Sequence, residues 1–184
     1  MESPKSIKMI HTFLKDYYLR PLRKTDLDGP YSSWFSDQTI TKYSSHGKFF
    51  KNENYFLSFY ENLNREDQVV LAIFHTLDGH IGNLSLQDIS WINRTAEFAI
   101  IIGNQNHQNK GVSYEASKYI LEHGFNKLNL NKIYCGTSDQ NIGMQRLALK
   151  LGMKEEGRRV DHLFLEGSYH DVLMYYILAK DWKT

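Results

Sequence analysis

Ile100-Ile101-Ile102-Gly103-Asn104-Gln105-Asn106-His107-Gln108-Asn109-Lys110-Gly111-Val112-Ser113-Tyr114-Glu115-Ala116 runs from an apolar strand, through a polar glycine-marked loop, into a helix. A helix N-terminus leaves its first N–H groups unpaired and carries partial positive charge. It is therefore a natural seat for a phosphate or diphosphate. Gly111 lets the backbone approach an anion closely because it has no Cβ. Lys110 adds a full positive charge, and small Ser113 keeps the next turn open. On local pattern alone the same residues also read as an ordinary loop entering a helix, since short glycine motifs often match by chance.

Upstream, the pattern alternates with period two. Arg94 to Ile102 reads as a strand with Phe98, Ile100 and Ile102 on one face and Glu97, Ala99 and Ile101 on the other. Ile81 to Ile89 reads as a second strand, and the continuous apolar run Val69 to Phe74 as a buried third. Asp78-Gly79 between them predicts a type I′ hairpin turn. Further back, Asn52 to Leu63 places Tyr55, Phe56, Phe59, Tyr60 and Leu63 at helical spacing. Residues 39–51 read as a loop, and Thr25 or Asp26 as the cap of a helix through about Ser36 with Leu27, Tyr31, Trp34 and Phe35 on its apolar side. Tyr17 to Leu22 is a short strand whose Pro21 suits a sheet edge or a strand end. Residues 1–15 are loosely specified.

Downstream, Gly111 to Asn126 predicts a helix with Ala116, Ile120, Leu121 and Phe125 inward. Lys132 to Gly136 is a short strand, and Asn141 to Leu151 a helix closed by Gly152. Arg159 to Leu165, a Glu166-Gly167 turn, and Asp171 to Leu178 form a last hairpin. Helices interleaved with a meander predict a mixed α/β fold: a mostly antiparallel central sheet flanked by helices. Residues 1–12 are expected to be an N-terminal extension and 13–184 a single domain.

Composition narrows the classes. The 184 residues carry a net charge of +1 at pH 7, which gives no basic excess for nucleic acid. No apolar run approaches the roughly 18 residues of a membrane span, and Met1 to Ile10 lacks the apolar core of a secretory signal. The single cysteine, Cys135, fits a reducing, cytoplasmic setting. The eight histidines show no compact metal-ligand spacing, so no metal is expected. His75 and His80 are expected as a surface pair across the hairpin. No G-x-x-x-x-G-K-S/T or G-x-G-x-x-G fingerprint occurs.

Gln108-Asn109-Lys110-Gly111-Val112-Ser113 resembles the Q/R-x-x-G-x-G/A diphosphate loop of the GNAT superfamily of N-acetyltransferases. Tyr18-Leu19-Arg20-Pro21-Leu22, Asp26-Leu27 and Trp34-Phe35-Ser36-Asp37 resemble the opening of its RimJ/RimL-like branch. Glu97 to Gly103, Asn141 to Met153, Glu156-Gly157 and the hairpin at Gly167 and Asp171 resemble its central strand, last helix and tail. The resemblance implies a GNAT-like acyl-CoA N-acyltransferase fold that uses acetyl-CoA as acetyl donor. It implies that pantetheine pairs with backbone groups of Ile100 and Ile102, that residues 108–113 hold the diphosphate, and that Asn141 meets the pantetheine arm. Asn141 also reads as a plain N-cap. Arg146, or Lys150 one turn on, is a candidate phosphate contact or simply a solvated helix charge.

Glu97 is the candidate general base; its other reading is a strand carboxylate in a structural ion pair or facing solvent. Family members often carry a tyrosine acid where Ala148 stands here. Cys135, in an apolar strand, reads as an inert thiol rather than a nucleophile. The expected acceptor is a primary amine: an amino sugar, a protein N-terminus or another small amine. The competing class is a non-catalytic acetyl-CoA-binding module. A monomer or homodimer is expected, without nucleic-acid or membrane partners.

Overall fold

A computed structural model describes residues 11–64 and 66–183, except for the side chains of His46 and Asn64. The strands are β1 (His11–Leu14), β2 (Tyr17–Pro21), β3 (Val69–His75), β4 (Gly79–Ser90), β5 (Thr95–Ile102), β6 (Lys132–Ser138), β7 (Lys154–Leu165) and β8 (Ser168–Leu178). The helices are α1 (Tyr31–Trp34), α2 (Gln38–Thr41), α3 (Glu53–Glu61), α4 (Val112–Asn126) and α5 (Ile142–Lys150). One eight-stranded sheet has the order β1-β2-β3-β4-β5-β6-β8-β7. Every neighbouring pair is antiparallel except β5 and β6.

Strand alternation sends side chains to two cores. On one face Leu84, Leu86, Phe98 and Ile133 pack against Ala116, Ile120 and Leu121 of α4, the stripe read from the sequence. Gly124 allows this close helix–sheet approach: a Cβ there would lie 2.9 Å from side-chain atoms of both Ile133 and Leu86. On the other face Ala72 and Ile101 meet Tyr31, Trp34 and Phe56 of the short helices. Each fully buried aliphatic or aromatic side chain contributes about 1.5–3 kcal/mol, so both faces are firmly held.

The chain departs from the sequence expectations in several places. The helix expected from Thr25 or Asp26 to Ser36 is broken into a 3-10 turn, Lys24–Asp26, and α1. Pro30 disfavours helical geometry at Gly29, and Asp26 turns its carboxylate to Arg20 rather than starting a long helix. The stretch 39–51 is not all loop: Asp37 caps α2 by accepting from Thr39 N and Ile40 N. His11–Leu14, placed by the sequence in a loose N-terminal stretch, pairs with β2. Within the expected extension 1–12, residues 1–10 lie outside the described residues. Pro21 ends a strand, but β2 lies between β1 and β3 rather than at the edge.

The two hairpins also differ from each other. Only Gly79 has positive φ (72°) at the β3–β4 connection, where His75 pairs with Gly79. That leaves a three-residue loop followed by a left-handed glycine, not a type I′ turn. Glu166 and Gly167, at φ 46° and 86°, have the two positive values of type I′. His80 is not a surface group. It is buried, stacked on Phe74 with centroids 4.9 Å apart, with Nε2 2.7 Å from Asn83 Oδ1.

Candidate active site

The parallel ladder between β5 and β6 holds only Thr95–Lys132, Ala96–Ile133 and Glu97–Tyr134. Beyond Glu97, β5 continues against β4 through Ile102, while β6 continues against β8 through Ser138. The two central strands therefore diverge. Gly103 N donates to Ile81 O at 2.9 Å. Backbone groups alternate along an antiparallel strand, so Ile101 faces β4 and the N–H and C=O groups of Ile100 and Ile102 face the divergence.

The Gln108–Ser113 loop enters α4 near the same end of β5. Asn109 (φ 60°) and Gly111 (φ 80°) are both left-handed, and Gly111 is the N-cap of α4. No side chain caps that end. Among the described residues the amides of Lys110, Gly111, Val112 and Ser113 find no acceptor, the first intramolecular bond of this turn being Glu115 N to Gly111 O at 3.1 Å. A Cβ on Gly111 would meet nothing within 4 Å, so the glycine serves backbone conformation and outward access. Free amides over an open helix N-terminus form an anion seat. Gln108, Asn109 and Lys110 are exposed, Val112 is buried in the main core, and Ser113 is half-buried, its carbonyl accepting from Ser117 Oγ at 2.6 Å.

Glu97 marks the point of divergence. It is half-buried and accepts from Gln87 Nε2 at 3.2 Å, and no ion pair engages it among the described residues. Its register partner Tyr134 has a phenol pushed up from its ordinary pKa by burial, then by the charges of Glu97 and Asp88. Nothing in the sequence singles out Tyr134. Period-two alternation places it opposite Cys135, but only the register sets it beside Glu97.

Asn141 lies at the mouth of the divergence as the N-cap of α5, its Oδ1 accepting from Met144 N at 3.1 Å. Its amide nitrogen stays available as a donor, so the cap and a ligand contact are compatible. Arg146 is exposed on α5. Lys150 instead reaches the first turn of α4, its Nζ 4.1 Å from the Tyr114 ring centroid. Ala148 is fully buried in the main core and carries no ionisable group. Cys135 is buried, 3.7 Å from Met153 Sδ, and burial followed by the Glu97 charge pushes its thiol up to about 12. It is no nucleophile at neutral pH.

Across the sheet from α4, a cavity of about 240 Å³ runs from Asn141 and Ala99 to the short helices. Tyr31, Phe35, Tyr55, Phe56 and Phe59 supply its aromatic walls, and Asn83, Ser85 and Gln87 line its floor on β4. Lys51 enters the same cavity, its Nζ 4.8 Å from the Phe35 centroid and 4.5 Å from that of Tyr55. No carboxylate lines it among the described residues. Trp34 closes the end of β5 by packing on Gly103, where a Cβ would fall 2.0 Å from its ring.

Comparison with known proteins agrees with this geometry. A family model described as an acetyltransferase (GNAT) domain matches residues 17–154. A spermidine N(1)-acetyltransferase of Vibrio cholerae is 40% identical over 102 residues, 55% of this chain and 58% of that enzyme. The match thus spans less than two thirds of that relative's length. YnaD, an uncharacterised N-acetyltransferase of Bacillus subtilis, is 28% identical over 183 residues, 94% of this chain and 99% of that protein. The crystal structure of a Vibrio cholerae spermidine N-acetyltransferase with CoA and spermine superposes with a TM-score of 0.82 at 27% identity, covering 91% of this chain and 98% of that one.

Proposed function

The chain belongs to the GNAT acetyltransferase family, and on that premise we propose that it moves an acetyl group from acetyl-CoA to a primary amine held in the aromatic cavity. The observation that carries this reading is the divergence of β5 from β6 beside four unpaired amides at the start of α4. Pantetheine lies along Ile100 and Ile102 as a partial strand, satisfying main-chain groups that no strand reaches among the described residues. Lys110 to Ser113 hold the diphosphate, Gln108 and Asn109 shape the loop, and Asn141 donates to the pantetheine arm. Arg146 and Lys150 offer positive charge to the nucleotide end. Placement in the RimJ/RimL-like branch rests on the opening residues from Tyr18 to Asp37.

The amine must be neutral to attack. A lysine-like amine is neutral in about one part in 2,500 at pH 7, equivalent to roughly 4.6 kcal/mol. Glu97 stands just outside the cavity lining, hydrogen-bonded to Gln87 on its floor, and takes the proton through water. The amine nitrogen bonds to the thioester carbon, the C–S bond breaks, and the sulfur leaves with the electron pair. Ala148 supplies no proton to that sulfur. The Tyr134 hydroxyl, kept protonated beside Glu97, is the donor we assign.

The cavity also bears on the acceptor. A polyamine is a chain of cations and needs carboxylates along its path, whereas here Lys51 already occupies the cation-binding faces of Phe35 and Tyr55. This supports a single amine on an uncharged or anionic body, such as an amino sugar. Spermidine is the second reading. It is favoured by the named activity of the Vibrio cholerae relative and by Asp67 and Asp88 in the recess beyond Tyr55 and Phe59. Incubation with acetyl-CoA and amino sugars, peptides with free N-termini and spermidine, following free thiol, tests both. Turnover fastest on spermidine overturns the first reading. Coenzyme binding without turnover on any amine overturns the enzyme in favour of a coenzyme-binding module.

A further inference from the structure

A second convergence of side chains lies outside the acyl-transfer gap. His75 closes β3, Asp78 stands in the following turn, and His107 ends the 3-10 turn Gln105–His107 just before the Gln108–Ser113 loop. His75 Nδ1 lies 2.9 Å and His107 Nε2 3.0 Å from the same oxygen, Asp78 Oδ2. One ligand atom from each residue falls within 4.8 Å of the others. Two imidazole nitrogens and a carboxylate oxygen facing one point form a donor set suited to a zinc-class divalent cation.

The hydrogen bonds around the cluster point the same way. His75 Nδ1 is approached by the Asp78 amide at 3.3 Å and by Asp78 Oδ2 at 2.9 Å. The first contact needs a lone pair on that nitrogen and the second a proton. One nitrogen does not offer both; a cation between Nδ1 and Oδ2 takes the lone pair and replaces the carboxylate contact, and the longer amide contact is then given up. The far nitrogen of His107, Nδ1, lies 2.9 Å from the Tyr17 hydroxyl, the outer bond that fixes the tautomer of a ligating imidazole. Asp78 is half-exposed, so an ion has an entry path and a fourth position for water. Lys110 is near enough to oppose a cation, while Asp16 and Asp78 add negative charge around Tyr17.

We propose that His75, Asp78 and His107 bind one divalent cation of the zinc class, which staples the β3–β4 hairpin to the start of the diphosphate loop. Tyr17 is its positioning residue.

The test uses the untagged full-length chain, zinc(II) by titration calorimetry and cobalt(II) by its visible ligand-field bands. The expected result is one equivalent of zinc bound and tetrahedral-type cobalt bands. Asp78→Asn and His75→Gln each weaken zinc binding at least tenfold, and Tyr17→Phe weakens it about ten- to a hundredfold. Far-UV circular dichroism and acetyl-CoA binding establish that each variant is folded. A folded wild-type chain that takes up no stoichiometric zinc overturns the proposal. So does zinc binding that is unchanged in both Asp78→Asn and His75→Gln. Neither outcome depends on acetyl transfer, so this proposal and the proposed activity fail separately.

Discussion

At the residue scale, Glu97 and Asp26 show what placement does to two carboxylates. Glu97 has Gln87 as a partner and no counter-ion among the described residues. Glu97→Gln is expected to lower kcat by about a hundredfold or more and to leave the coenzyme dissociation constant nearly unchanged. Thiol-release kinetics beside calorimetry check this, and an unaltered kcat removes Glu97 from the mechanism. Tyr134→Phe should also cost about a hundredfold in kcat if its hydroxyl protonates the departing sulfur. Asp26 is buried against Arg20, with bonds of 2.6 and 2.7 Å. Burial opposes its charge, but the Arg20 and Arg23 hydrogen bonds and the Arg20 charge outweigh that and hold its carboxyl below the ordinary value. A depressed folded pKa contributes stability above the unfolded value of about 4. That contribution is lost as pH falls through the folded value. Asp26→Ala leaves Arg20 buried without its counter-ion and should cost about 3–5 kcal/mol at pH 7. Urea unfolding of variant and wild type should converge on acidification, and a pH-independent difference would contradict the ion-pair account.

At the element scale, two glycines serve opposite needs. Gly111 holds φ 80° where α4 begins, with open space around it. Gly111→Ala places a Cβ in left-handed backbone at a cost of roughly 1–2 kcal/mol and should weaken acetyl-CoA binding as the amides turn away. A lowered unfolding midpoint with coenzyme affinity intact would show that this turn is not the anion seat. Gly103 is ordinary in conformation but crowded by Trp34. Gly103→Ala should cost about 1–3 kcal/mol by overpacking, read by urea unfolding, and should disturb the acceptor side of β5 more than the diphosphate loop.

At the scale of the whole molecule, the sheet is two antiparallel blocks, β1–β5 and β6–β8, joined by one short parallel ladder. A coenzyme acting as a partial strand bridges these blocks. Acetyl-CoA at a hundred times its dissociation constant should add about 2.7 kcal/mol to stability. Hydrogen exchange should then slow at Ile100 and Ile102 as well as at residues 110–113. Protection confined to the loop would place the ligand elsewhere.

The sequence by itself determined the element types along most of the chain, the inward stripe of α4, the glycine end of α5 and the glycine-marked loop that enters α4. These are local properties: side-chain period, caps and left-handed glycines are set within a few residues. Its errors fell where a specific partner six to eight residues away, on another element or strand, outweighed the local preference. Asp26 went to Arg20 rather than to a helix, His80 stacked on Phe74, and His11–Leu14 became a strand by pairing with β2. Only the tertiary structure decided that β5 and β6 separate after Glu97, that Tyr134 stands beside it, that Lys51 enters the aromatic cavity, and that His75, Asp78 and His107 meet. Register and strand order set each of these, and they arise from packing both faces of the whole sheet, which no short window of sequence contains.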